Sequence, residues 1–158
     1  MGQISDCVNR LAASATFAMM QKSNELAAQG VNVVNMSVGE PDFNTPDYVK
    51  NAAKQAIDEN YSTYSPVPGY MSLRKACSDK LKRENNLDYA PTQIVVSTGA
   101  KQSLCNAIMA VVNPGDEVLL PSPCWVSYPE MVKLAGGVPV VIKAGIEQDF
   151  KVTAQQIA

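Results

Sequence analysis

Leu104, Ala107, Ile108, Val111 and Val112 recur at i, i+3, i+4, i+7 and i+8, the spacing of a helix with one apolar stripe. Just upstream, Ile94-Val95-Val96 is a short apolar run of strand type, joined to that helix by Ser97-Thr98-Gly99-Ala100-Lys101-Gln102-Ser103. The pattern predicts a strand, a tight turn of small residues and a helix N-terminus. The first amides of a helix have no intrahelical acceptor and sit at the positive end of its dipole, so the turn is a candidate anion site, for phosphate above all. Gly99 and Ala100 let a ligand approach the backbone, and Ser97, Thr98 and Ser103 add hydroxyls. By itself, such a turn is more often a plain strand-to-helix loop.

The rest of the chain continues the α/β pattern. Ser14 to Ala28 is predicted helix, stopped by Gly30 as a C-terminal cap, and Val33 to Val38 reads as a short strand. The irregular loop Gly39-Glu40-Pro41-Asp42-Phe43-Asn44 leads to Thr45-Pro46, an N-cap with proline at the first helical position. Val49, Ala52, Ala53, Ala56 and Ile57 then share one face. After the loop from Tyr61 to Tyr70, with its three tyrosines and two prolines, a helix spans Met71 to Asn85. Its predicted inner face is Leu73, Ala76, Cys77 and Leu81, and its lysines, Arg83 and Glu84 form a solvated face.

Downstream, Asn113-Pro114-Gly115-Asp116 is a turn and Glu117 to Leu120 a buried strand. The loop Pro121-Ser122-Pro123-Cys124-Trp125 delivers the single tryptophan to a helix carrying Tyr128, Met131, Val132 and Ala135. Gly136-Gly137 ends that helix, and Val138 to Ile142 is the next strand. Strand, helix, strand, helix, strand implies a mainly parallel sheet. At the end, Thr153-Ala154-Gln155-Gln156 is a capping-box pattern for a helix with only Ile157 and Ala158 to follow. So short a helix is marginal alone, and the expectation is that these residues are the N-terminal part of a longer protein.

Composition narrows the chemistry. In 158 residues, 13 basic side chains balance 15 acidic ones, which gives no general attraction to nucleic acid or anionic membranes. No apolar run is long enough for a transmembrane helix, and the start Met1-Gly2-Gln3-Ile4 lacks the pattern of a signal peptide. The four cysteines are widely spaced and there is no histidine, which points to reduced thiols in the cytoplasm and away from a metal site. The missing histidine also excludes Ser-His and Cys-His nucleophiles within this chain.

Taken in order, several motifs resemble the class I/II pyridoxal-phosphate aminotransferases of fold type I, and within them the bacterial aspartate aminotransferases. They are Ser14-Ala15-Thr16, Gly39-Glu40-Pro41-Asp42-Phe43 with Thr45-Pro46, Tyr64-Ser65-Pro66 with Gly69, Leu73-Arg74, Ser97 to Gln102, Asn113 to Val118, and Pro123 to Pro129. The resemblance covers nearly the whole chain. It implies a segment of the small domain and active-site rim over residues 1–45. Residues 46–158 would be the first part of the large cofactor-binding domain, a mainly parallel sheet with helices on both faces, incomplete at its C-terminus.

The same resemblance implies roles for particular residues. Gly99, Ala100 and Lys101 would hold the phosphate of pyridoxal 5'-phosphate, Trp125 would stack on its ring, and Tyr64 would reach the phosphate in the partner subunit of a homodimer. Gly39, Ser14, Thr16, Trp125 and Lys101 would meet substrate, with Lys101 facing the side-chain carboxylate of an acidic amino acid. The implied reaction is amino-group transfer from an L-amino acid, aspartate, to a 2-oxo acid, 2-oxoglutarate. The lysine that carries the cofactor lies outside the matching stretch, so no catalytic residue is expected here and these residues alone are expected to be inactive. Three other readings stay open: an aromatic or aliphatic aminotransferase, a carbon–sulfur lyase of the same fold, and a non-catalytic phosphate-binding module.

Overall fold

The computed structural model describes residues 4–37 and 39–158. The described chain forms two compact units, residues 1–39 with 99–158 and residues 40–98.

In the first unit, α1 (Asp6–Asn9) and α2 (Ala15–Ala28) precede α5 (Ala100–Val111), β1 (Glu117–Ser122), α6 (Ser127–Ala135), β2 (Val138–Lys143) and α7 (Ala154–Ile157). The other unit holds α3 (Asp47–Asp58) and α4 (Met71–Asn85). Gly30 stops α2 as expected. At φ +80° it lets its own amide reach Ala27 O and the amide of Val31 reach Leu26 O. Residues 33–37, expected as strand, have no sheet partner; Asn35 Oδ1 instead accepts from the Ser37 amide and hydroxyl at 3.0 and 2.6 Å. Val38, the last residue of that expected strand, lies outside the described residues, as does the start Met1-Gly2-Gln3.

The parallel sheet is present as two strands, β1 beside β2, in register from Glu117 with Val138 to Ser122 with Lys143. β1 runs on through Pro121 and Ser122, which the sequence assigned to a loop; they register with Ile142 and Lys143. Proline is tolerated there because β1 is an edge, where one side of the backbone needs no partner. Helix α6 joins the strands and supplies the core. Met131 and Val132 are 6% and 0% exposed, with Leu120 of β1 and Ala144 just after β2 also buried. The connection is tight. A Cβ on Gly137 would lie 2.7 Å from Val112 Cγ1, so only glycine fits where α6 turns into β2.

Other expectations shift. Ile94–Val96 is extended but belongs to no ladder, because no described strand lies beside it; the Val96 amide donates to Pro68 O at 3.0 Å. The helix after Thr45 starts one residue later than expected, at Asp47 with Pro46 as N-cap. The apolar stripes of α3 and α5 are real but mostly uncovered: Ile57 is 75% and Val111 74% exposed. A stripe becomes core only against another apolar surface; among the described residues α5 meets α6 over part of its length and α3 is left largely open. On α4 the inner face is half right. Cys77 and Leu81 are partly buried, whereas Leu73 and Ala76 are exposed and Arg74 is buried in their place.

Candidate functional site

The strand-turn-helix signal resolves into a helix start built on glycine. Gly99 is the N-cap of α5 at φ +83°, a conformation that side chains with a Cβ rarely adopt. Gly99 brings no capping side chain of its own, and the first α-helical bond to close is Ser103 N to Gly99 O at 3.3 Å. The amides of Ala100 and Lys101 therefore precede the helical bonding pattern and face the space before the helix, with the dipole's positive end behind them. A Cβ on Gly99 would meet nothing within 4 Å, so its conformation and not crowding selects glycine. Lys101 is exposed and makes no ion pair among the described residues.

Helix α5 packs against α6, and the loop leading into α6 carries Trp125. This loop leaves the C-terminal end of β1, where open parallel sheets place their ligand crevices. Trp125 O accepts from Tyr128 N at 3.0 Å, which fixes the backbone while the indole is left 46% exposed. That exposure leaves one part of the indole open in this unit. A half-open indole and a helix start whose first amides lie outside the helical bonding pattern, both in the same unit, are complementary to a phosphorylated aromatic ligand: the amides match the anion and the indole matches the ring.

The N-terminal segment contributes a second surface of the same unit. Ser14 is the N-cap of α2 but its hydroxyl caps nothing, and Thr16 is partly buried. A groove of about 560 Å³ runs between α2 and residues 33–37, lined among others by Thr16, Met19, Val34, Met36 and Val126. Thr16 thus shares a wall with the neighbour of Trp125. Gly39 is exposed, and a Cβ there would meet nothing within 4 Å, so packing does not explain that glycine. Tyr64 belongs to the other unit, with its side chain wholly in solvent. In the same loop Tyr61 and Tyr70 meet edge to face at 6.1 Å, and Gly69 is forced, since a Cβ would lie 2.9 Å from Val96 Cγ2.

Two contacts escaped the sequence reading, although Arg74 stands in the Leu73-Arg74 motif. Arg74, 8% exposed, donates through Nε to Ile94 O at 2.8 Å and so ties α4 to the segment leading toward Gly99. Glu130 on α6 accepts from the Ala12 amide at 2.8 Å and from Lys133 Nζ at 2.8 Å. Lys133, and after it the Ala12 amide, hold the Glu130 carboxyl below its usual value of 4.5. The Glu130–Lys133 spacing was legible as a helical ion pair; a partner 118 positions away was not. Among the described residues no cluster could hold a metal ion, and no helix is long and apolar enough to cross a membrane.

The class is that of an α/β protein with a parallel β1–β2 pair, whose glycine-started helix α5 and half-exposed tryptophan lie in the same compact unit. The family is more definite. The chain belongs to aminotransferase class I and II, whose model matches residues 31–158. It is 50% identical over 157 residues to the aspartate/prephenate aminotransferase of Cereibacter sphaeroides, covering 99% of this chain and 39% of that protein. Against the aspartate aminotransferase of Bacillus sp. the identity is 47% over 150 residues, 95% of this chain and 38% of that one. The crystal structure of the Rhizobium meliloti aspartate aminotransferase matches with TM-score 0.94 at 37% identity, covering 99% of this chain and 39% of that one. The Thermus thermophilus aspartate aminotransferase with maleate matches at TM-score 0.92 and 43% identity, covering 99% and 41%. This fold is that of the N-terminal two fifths of those enzymes. The chain spans about two fifths of the length of the curated relatives it matches.

Proposed function

We propose that the whole protein containing this sequence is a pyridoxal-phosphate aminotransferase. It would move the amino group of an acidic L-amino acid, aspartate, to a 2-oxo acid such as 2-oxoglutarate. The observation that carries this reading is a Gly99 helix start and an exposed Trp125 in one compact unit, within a chain 50% identical to an aspartate/prephenate aminotransferase. The amides of Gly99, Ala100 and Lys101 would hold the phosphate and Trp125 would cover the ring. The cofactor supplies an electron sink for the charge left when a proton leaves the substrate α-carbon.

What this chain's own residues add is binding and orientation. Gly39 would offer its amide to the substrate α-carboxylate, with room for close approach. Ser14 and Thr16 would border the substrate, and Tyr64 would reach the phosphate of a partner subunit in a homodimer. Residues 1–45 would move with the small domain and residues 46–158 with the large one. Lys101 decides the substrate class. An ammonium at a helix N-terminus is opposed by the dipole by about 0.3–1 kcal/mol, so a lysine there suits a nearby second anion. A dicarboxylate such as maleate, present in the Thermus thermophilus structure, offers such an anion at its far end. Prephenate is a further acceptor to consider, since two of the most similar relatives are named for it.

The deciding experiment is Lys101→Ser in the whole protein. We expect kcat/KM for aspartate and glutamate to fall about tenfold or more, equivalent to at least ~1.4 kcal/mol, with a much smaller loss for a neutral amino acid. Equal losses for both would move Lys101 from the substrate to the cofactor.

A further inference from the structure

One contact in the first unit crosses a long sequence distance and serves no element of secondary structure. The Ala12 amide donates to Glu130 Oε2 at 2.8 Å, while Glu130 Oε1 accepts from Lys133 Nζ at 2.8 Å. Ala12 lies two residues before Ser14, in the unwound link between α1 and α2. Glu130 lies in the first turn of α6, five residues after Trp125. Helix α1 also packs against α6, so the bond closes a short bracket between the N-terminal strip and the helix behind the tryptophan loop. Beyond the bracket, Thr16 and Val126 line the same groove.

The geometry of Glu130 is that of a clamp. Its side chain is 25% exposed, and Lys133 occupies the oxygen that Ala12 leaves free, so the carboxylate has little freedom to turn. A charged acceptor makes a stronger bond to an amide than a neutral one, and this amide is not part of a helix. We infer that Glu130 is a positioning residue for substrate: by holding Ala12 it fixes the strip carrying Ser14 and Thr16 against the loop carrying Trp125. The inference rests on the aminotransferase reading above, in which that strip borders the substrate. Glu130 itself touches neither substrate nor cofactor.

The test uses the whole protein and three variants. Glu130→Ala removes the acceptor, Glu130→Gln keeps a neutral acceptor oxygen, and Lys133→Met removes only the outer ion pair. Amide hydrogen exchange of peptides spanning residues 11–17 should speed up about tenfold or more in Glu130→Ala. It should stay within about threefold of wild type in Glu130→Gln and Lys133→Met. The KM for the amino acid should rise at least threefold in Glu130→Ala and recover in Glu130→Gln, with the affinity for pyridoxal phosphate held within about twofold. Unchanged exchange in Glu130→Ala, or faster exchange with an unaltered KM, overturns the role. So does a Glu130→Gln as impaired as Glu130→Ala, or a parallel loss of cofactor affinity. Should Glu130→Ala fail to fold, Ala12→Pro removes the donor N–H, while also fixing φ at residue 12, and must give the same pair of shifts over residues 13–17. A wild-type protein that transfers no amino group at all would instead sink the functional reading, a result separable from these at the first control.

Discussion

Residues 117–144 and helix α3 carry equally clear apolar patterns, yet they end in opposite states. In the first region, Leu120, Met131, Val132 and Ala144 are buried, and Gly137 is pressed against Val112, Val132 and Asp116. In α3, Val49 and Ile57 stay 43% and 75% exposed although they share the expected face. The strand-helix-strand region contains both sides of its own interface, since α6 packs on β1 and β2. Helix α3 has one side of an interface and, among the described residues, no other. Amphipathicity names the face that wants cover, and the cover has to come from elsewhere.

The contrast can be broken by substitution, and the largest effect belongs to the closed core. Met131→Ala should destabilise the 158-residue chain by about 2–5 kcal/mol in urea unfolding, the range for truncating a buried side chain. Next comes Gly137→Ala. With neighbours at 2.7, 3.0 and 3.1 Å from the added carbon, overpacking should cost about 1–3 kcal/mol in the same assay.

A smaller effect follows acid. Because the Glu130 carboxyl is held below 4.5 in the folded chain, its contribution is fully present above that pH and is lost as pH falls through the lowered folded value. Unfolding free energy should therefore decline below about pH 4.5 less steeply in Glu130→Gln than in wild type. The smallest effect tests the open helix. Ile57→Ala should change the stability of this chain by less than about 0.5 kcal/mol, and by clearly more in the whole protein if another part of it covers α3.

Much of this molecule was readable before any coordinates. Helix α4 spans Met71–Asn85 as the pattern indicates, and α2 ends in the glycine cap that Gly30 announces. The Asn113–Asp116 turn and the Thr153–Gln156 capping box form with the expected bonds, Asp116 N to Asn113 O at 3.1 Å and Thr153 N to Gln156 Oε1 at 2.9 Å. These are interactions over three to five residues, and short-range rules of backbone and capping govern them. The family was legible for a related reason, because its motifs are local strings held in a fixed order.

What the sequence by itself determined, then, is where most helices start and stop, which faces are apolar, and that a glycine opens helix α5. Tertiary structure decided the rest. Ile94–Val96 has the residues of a strand but no neighbour to pair with, and a strand exists only through its neighbour's hydrogen bonds. Arg74 is buried because Ile94 O waits 20 residues away, and Glu130 holds Ala12 across 118. Such partners meet only after the chain has folded back on itself. No periodicity of three or four residues encodes a distance of that length.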